Sequence, residues 1–185
     1  LWQNYWNSLF PSSANAISFD QITYLNASHK GISGLSGIEQ LSNLQYAYLG
    51  DNNFNNEDLN YLFQLTSLIN LDISYGGKLT SIDGIQKLTN LHNLELEGQK
   101  LTSLKPFLEM PNLKYIDIEE NYINLADPVN IADLKALRSN GVDVDITPQV
   151  PISVQNLSGQ MLIRENSFQS SPNDPKANFI YAFEQ

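Results

Sequence analysis

Apolar residues recur along this chain with a period near 22 residues, and each period holds two spacings. The first runs Ile22-x-x-Leu25-x-Ala27 and returns as Leu44-x-x-Ala47-x-Leu49, Leu68-x-x-Leu71-x-Ile73, Leu91-x-x-Leu94-x-Leu96 and Leu113-x-x-Ile116-x-Ile118. Its closing alternation predicts a short strand with one buried face. The second spacing is near three. Ile32, Leu35, Ile38 and Leu41 return as Leu79, Ile82, Ile85 and Leu88, then as Leu101, Leu104, Phe107 and Met110. That suits a 3₁₀ or extended turn leading back to the next strand. The starting positions 22, 44, 68, 91 and 113 differ by 22, 24, 23 and 22. The longer steps are insertions, about two residues at 55–58 and one near Gly76-Gly77, placed where a loop absorbs them. One unit cannot bury its own leucines. Five stacked units share a continuous core, with their strands in a parallel sheet.

The pattern resembles the leucine-rich repeat, L-x-x-L-x-L-x-x-N-x-L. Residues 79–91, LTSIDGIQKLTNL, are similar to the 22-residue repeat class of bacterial internalins, as are residues 25–32. The resemblance covers about residues 22–146 and implies an α/β solenoid with a parallel β-sheet on its concave face. The chain departs from it at the asparagine position. Lys30, Asn52, a Gly76 insertion, Gln99 and Asn121 stand there, so the buried asparagine ladder is expected to be incomplete and the turns less regular.

An open array needs its ends covered. Trp2, Tyr5, Trp6 and Leu9 follow helical spacing up to Pro11, which predicts an N-terminal helical cap over residues 1–21. The tryptophans are read as packing, with a sugar-stacking platform as the alternative. About five repeats fill 22–129. A helix near 130–141 stopped by glycine, then the alternating residues 142–146, predict a C-terminal helix–strand cap over 130–147. Residues 148–185 form a β-rich tail, either an extra cap or the start of a further domain. Strands are expected at 152–154, 161–163 and 179–183, with turns at 156–159 and 170–175.

Composition narrows the chemistry. Twenty acidic against ten basic residues among 185 give a net charge of −10, which disfavours nucleic acid and anionic membrane surfaces. Cysteine is absent, which removes disulfides, thiolate metal sites and thiol nucleophiles, and by family resemblance favours a bacterial source. No 18-residue apolar run predicts a membrane span. The opening Leu1-Trp2-Gln3-Asn4 is neither an initiator Met nor a signal peptide, so the chain reads as a processed or trimmed piece. His29 and His92 fall three strands apart, and no nucleophile elbow, phosphate loop or metalloprotease motif occurs. No enzyme activity, cofactor or metal is expected. Two N-x-S triplets, at Asn26 and Asn156, carry no weight in a bacterial protein. The polar run Asp51, Asn52, Asn53, Asn55, Asn56, Glu57 and Asp58 reads as a solvated turn and insertion, not a calcium loop.

The register also predicts which side chains leave the concave face. A central column reads Asn26, Tyr48, Asp72, Glu95, Asp117. The column before it reads Tyr24, Tyr46, Asn70, Asn93, Tyr115, and the one after it Ser28, Gly50, Ser74, Glu97, Glu119. Neighbours in a column sit about 4.8 Å apart, so they touch. Tyr24, Tyr46 and Tyr48 make an aromatic zone, while Asp72, Glu95, Glu97, Asp117 and Glu119 make an acidic one. Stacked like charges cost tenths of a kcal/mol each, and exposed tyrosines suit an interface. A solvated acidic face and a calcium site are the competing readings. With Tyr115 added, these residues are the candidate partner-binding set.

The internalin resemblance implies a protein-binding module of an extracellular or surface-exposed protein of a Gram-positive-type bacterium, adhesin-like, with the concave face gripping a host or matrix protein. The acidic zone calls for a basic partner. Two other readings are an intracellular scaffold, similar to the leucine-rich regulatory subunit of a protein phosphatase, and a targeting arm of an enzyme whose catalytic domain lies elsewhere.

Overall fold

A computed structural model describes residues 18–151 and the backbone of two further strands, Ile163–Ser167 and Phe179–Phe183. The expected helix around Trp2–Leu9, the strand at 152–154 and the turns at 156–159 and 170–175 lie outside the described residues.

Six three-residue strands form one parallel sheet in chain order: β1 Tyr24–Asn26, β2 Tyr46–Tyr48, β3 Asn70–Asp72, β4 Asn93–Glu95, β5 Tyr115–Asp117 and β6 Asp143–Asp145. Pairing is in register with the repeat throughout, Leu25 opposite Ala47, then Leu71, Leu94, Ile116 and Val144. The anchors of the two spacings are buried into a single core, with Ile22 at the first unit partly covered. The period-three halves fold as 3₁₀ turns at Ile38–Gln40, Ile85–Lys87 and Lys105–Glu109. In the second repeat the two extra residues are absorbed differently: α1, Leu59–Leu62, replaces the 3₁₀ turn and buries Leu59 and Leu62. Asp58 pins it, accepting from the N–H of Asn55 at 2.8 Å and of Leu35 in the previous repeat at 3.2 Å.

Buried polar ladders tie the coils together. Asn52 Nδ2 donates to the carbonyls of Ala27 (2.9 Å) and Leu49 (2.7 Å), and its Oδ1 accepts from the Ile32 N–H (2.9 Å). Asn121 does the same for Leu96, Ile118 and Leu101. The expectation of an incomplete ladder is corrected here. Gln99 donates to the Ile73 carbonyl (2.7 Å) and accepts from Leu79 N–H (3.1 Å), and Gln149 donates to Ile118 and Ile146. Glutamine, one methylene longer, reaches where asparagine is missing. Every equivalent carbonyl from Ala27 to Ile146 therefore has a donor, as buried carbonyls require. Asn52 is also buried, not part of a solvated turn as its polar neighbourhood suggested. A second ladder runs down the other edge, where Asn43, Ser67, Asn90 and Asn112 donate to the carbonyls of Asp20, Ser42, Thr66 and Thr89.

After β5 a true helix, α2 Pro128–Ser139, takes the place of the 3₁₀ turn. It starts two residues before the sequence suggests because Asp127 caps it, accepting from Val129 N–H at 2.8 Å, with Pro128 in the first helical position. Gly141, at φ 82°, ends it and turns the chain into β6. Further on, β7 (Ile163–Ser167) pairs antiparallel with β8 (Phe179–Phe183). The β8 span matches the expected strand, while β7 starts where the expected 161–163 strand ends.

Candidate protein-binding face

Strand alternation sends one residue of each pair into the core and its flanking residues out of the sheet. The pairing puts Tyr24, Tyr46, Asn70, Asn93, Tyr115 and Asp143 in one row, and Asn26, Tyr48, Asp72, Glu95, Asp117 and Asp145 in the next. Neither row contains a Lys or Arg.

The tyrosine zone is a real cluster. The Tyr24 ring lies 5.5 Å from Tyr48 and 6.5 Å from Tyr46, tilted in both cases. Tyr24 is 58% exposed, an unusual state for an aromatic ring supported by two others. Tyr115 does not join them. It stands three strands away, and its hydroxyl donates to Asp145 Oδ2 at 3.0 Å. Burial first, and then this hydrogen bond, push its phenol well above the ordinary range.

The acids divide by role. Asp72 Oδ1 accepts from the N–H and the hydroxyl of Ser74, at 2.9 and 2.6 Å. Asp117 Oδ1 accepts from Glu119 N–H, and Asn26 Oδ1 from Ser28 N–H. Each thus closes its strand with a side chain-to-backbone turn, as short polar side chains do. Gly50 makes room for Asp72, since a Cβ there would meet its carboxylate at 2.9 Å. The Glu95 carboxylate has no such duty: among the described residues the Glu95 backbone carbonyl accepts from Ile73 N–H at 3.0 Å, while the side chain closes no turn. Its carboxyl is pushed up, first by desolvation, then by Asp72, Asp117 and Glu97. Glu97 and Glu119 sit at the strand ends, half-buried, and Glu97 accepts from the Tyr75 hydroxyl.

Asp143, Asp145 and Tyr75 belong to this surface and were not picked out from the sequence. The aspartates were signalled by the alternation of Val142, Val144 and Ile146, which continues the buried phase of the repeats. Tyr75 carried no signal. The two histidines stay apart: His29 Nδ1 pairs with Asp51 Oδ2 at 2.6 Å, and His92 Nδ1 lies 2.7 Å from the Asn90 carbonyl. Among the described residues no three of His, Asp and Glu converge to hold a metal ion. No helix there is long and apolar enough to cross a membrane.

An open parallel sheet of in-register 22-residue coils, closed by buried amide ladders, is a leucine-rich repeat solenoid. More narrowly, it has the fold of bacterial internalins. An internalin (InlF) of Listeria monocytogenes superposes with a TM-score of 0.55 at 23% identity, covering 77% of this chain and 49% of the internalin. Internalin C2 of the same organism gives 0.50 at 23% identity, covering 76% and 79%. This chain therefore spans about half of the first protein's length. No family model matches the sequence, and no curated protein matches it.

Proposed function

We propose that this chain is a protein-binding module of a secreted or surface-exposed bacterial protein, adhesin-like, whose concave face grips a host or matrix protein with a basic surface. The observation that carries this is the row Asp72, Glu95, Asp117 and Asp145, flanked by the tyrosine cluster, on a sheet face whose two outward rows lack cations. Like charges set on adjacent strands raise the free energy of the isolated fold, and a partner cation removes that cost. The three clustered rings supply apolar area at low entropic cost. The helix–strand unit around 130–147 closes the array at its far end.

The test is binding to a panel of basic extracellular proteins by surface plasmon resonance. Tyr48→Ala and Glu95→Lys are the variants of choice, because neither removes a strand-closing side chain-to-backbone hydrogen bond of the kind Asp72 and Asp117 make. Each is expected to weaken binding at least tenfold while the melting temperature moves by a few degrees. Unchanged affinity in both sinks the concave-face reading.

A further inference from the structure

Asparagine amides in this chain mostly serve the backbone. Those of Asn43, Asn52, Asn90, Asn112 and Asn121 each donate to a carbonyl of a neighbouring coil. Asn70 and Asn93 differ. They open β3 and β4, stand opposite each other in register, and are half-buried on the concave face. Among the described residues neither side-chain amide has a hydrogen-bond partner. Asparagine is disfavoured in strands, and here it serves no bond within the fold. The row continues into Tyr46 on one side and Tyr115 on the other. Two residues further along the same strands, Asp72 and Glu95 stand side by side in the acidic row. Two free amides thus lie between tyrosines and alongside carboxylates.

We infer that the partner lays an extended basic segment across the strands, with its main chain on Asn70 and Asn93 and its cations in alternation over the row from Asp72 to Asp145. The inference rests on the reading that the concave face binds a basic protein, and adds the form in which that protein is bound. A carboxamide carries one acceptor and two donors. An extended residue presents its N–H and C=O to the same side, so each free amide matches one such residue. The main chain of a folded surface is already paired, whereas that of an extended segment is open. With the segment edge-on to the sheet, its side chains leave alternately to either side, and one set faces the acidic row. Alternate residues of an extended chain lie about 6.8 Å apart, so three of them span about 14 Å. The strands from β3 to β6, at about 4.8 Å a step, span about the same distance. The two amides, one strand step apart, fall short of the spacing of alternate residues by about 2 Å, which the side-chain torsions of asparagine absorb.

The probe is an octapeptide of alternating arginine and threonine with both ends blocked. Its control has the same composition with the arginines in one run. Both are titrated at low salt against the isotopically labelled protein. The alternating peptide is expected to bind about threefold more tightly or better, since only its charges match the row. It is also expected to shift the side-chain amide resonances of Asn70 and Asn93. Asn70→Ala and Asn93→Ala should each weaken it about three- to tenfold, the range of one net hydrogen bond, with the melting temperature unchanged. Should alanine unsettle a strand, the side-chain amide shifts of the unsubstituted protein decide alone, and their absence overturns the inference. Equal affinity for the two peptides, or neutral alanine variants, also overturns it and leaves the acidic row acting as diffuse charge. A folded basic protein that binds through Tyr48 and Glu95 while neither peptide binds overturns the inference and leaves the concave-face reading standing. If Tyr48→Ala and Glu95→Lys change the binding of neither kind of ligand, both fail together.

Discussion

The side-chain amide of Gln99 occupies the space that Gly76 leaves open. Its Nε2 lies 3.0 Å from where a Cβ would stand on Gly76 and 2.7 Å from the Ile73 carbonyl it serves. A glutamine in one repeat and a missing side chain in the previous one thus replace a single asparagine. The pair should behave as one unit. Gln99→Ala leaves the Ile73 carbonyl and the N–H groups of Lys78 and Leu79 without partners, at a cost of roughly 2–4 kcal/mol. Gly76→Ala displaces the same amide and should cost about 1–3 kcal/mol. In the double variant most of the second cost should vanish, because the amide is already gone. Urea midpoints of the four proteins measure this. Additive costs would show that Gly76 is needed instead for the Asn52 carbonyl, which lies 3.2 Å from the same Cβ position.

The rim gives an independent prediction about backbone strain. His29, Asp51, Tyr75, Gly98 and Glu120 occupy the same place in successive coils and all have positive φ between 51° and 70°. Four of them are not glycine, and each such residue carries about 1–2 kcal/mol of steric cost. Glu120→Gly keeps the backbone donor to Pro148 and removes that cost. The greater freedom of the unfolded glycine returns part of it, so a net gain of about 0.5 kcal/mol is expected. Gly98→Ala should go the other way by about 1–3 kcal/mol, since it adds strain and strikes the Tyr75 ring. Thermal melts of both variants decide it. A loss of stability in Glu120→Gly would mean that its side chain holds the rim.

Most of the fold was legible because burial is written twice in each repeat, once with period two and once near three. Strand register follows from the repeat length, so the two outward rows up to Asp117 could be read directly. Legibility ended where the period did. From Tyr115 to its partner Asp143 the step is 28 residues, because α2 stands where a 3₁₀ turn should be. Asp143 and Asp145 were therefore seen as a strand but not as a continuation of the face. Gln99 looked like a gap because a template expects asparagine, and Gln149 fell in the tail, beyond the repeats. Only the distances show that a longer amide reaches the same carbonyls. Tyr75 escaped notice because side-chain identity says nothing of a positive φ unless the residue is glycine, asparagine or aspartate.

The far end of the array depends on one short side chain. Asp127 Oδ1 accepts from Val129 N–H at 2.8 Å and starts α2, which packs on β6 and on the Lys105–Glu109 turn. Asp127→Ala should cost about 1 kcal/mol, and Asp127→Asn much less, because asparagine caps nearly as well. Hydrogen exchange should show the loss in α2 and β6 before β2 or β3, since neighbouring coils of a solenoid are coupled and distant ones are not. Uniform loss across all six strands would show that the array melts as one unit.

Glu95 sets the acid-side behaviour. Its folded carboxyl is raised by desolvation first and then by Asp72, Asp117 and Glu97. The folded chain therefore holds this proton at a pH where the unfolded chain has released it. With fewer protons bound in the unfolded state, stability falls as pH rises. The contribution is fully present below the usual glutamate range and is lost as pH climbs through the raised value. At neutral pH the charge is thus a liability, on the order of tenths of a kcal/mol for each like-charged neighbour. Glu95→Gln should raise the melting temperature at pH 7, and the gain should shrink toward pH 4 where the native side chain is itself protonated. Added salt should narrow the same gap by screening the row. A Glu95→Gln gain that is equal at pH 4 and pH 7 would assign the effect to packing and not to charge. The same repulsion bears on binding. A basic partner should bind more tightly as the row ionises, so affinity and intrinsic stability should move in opposite directions across this pH range.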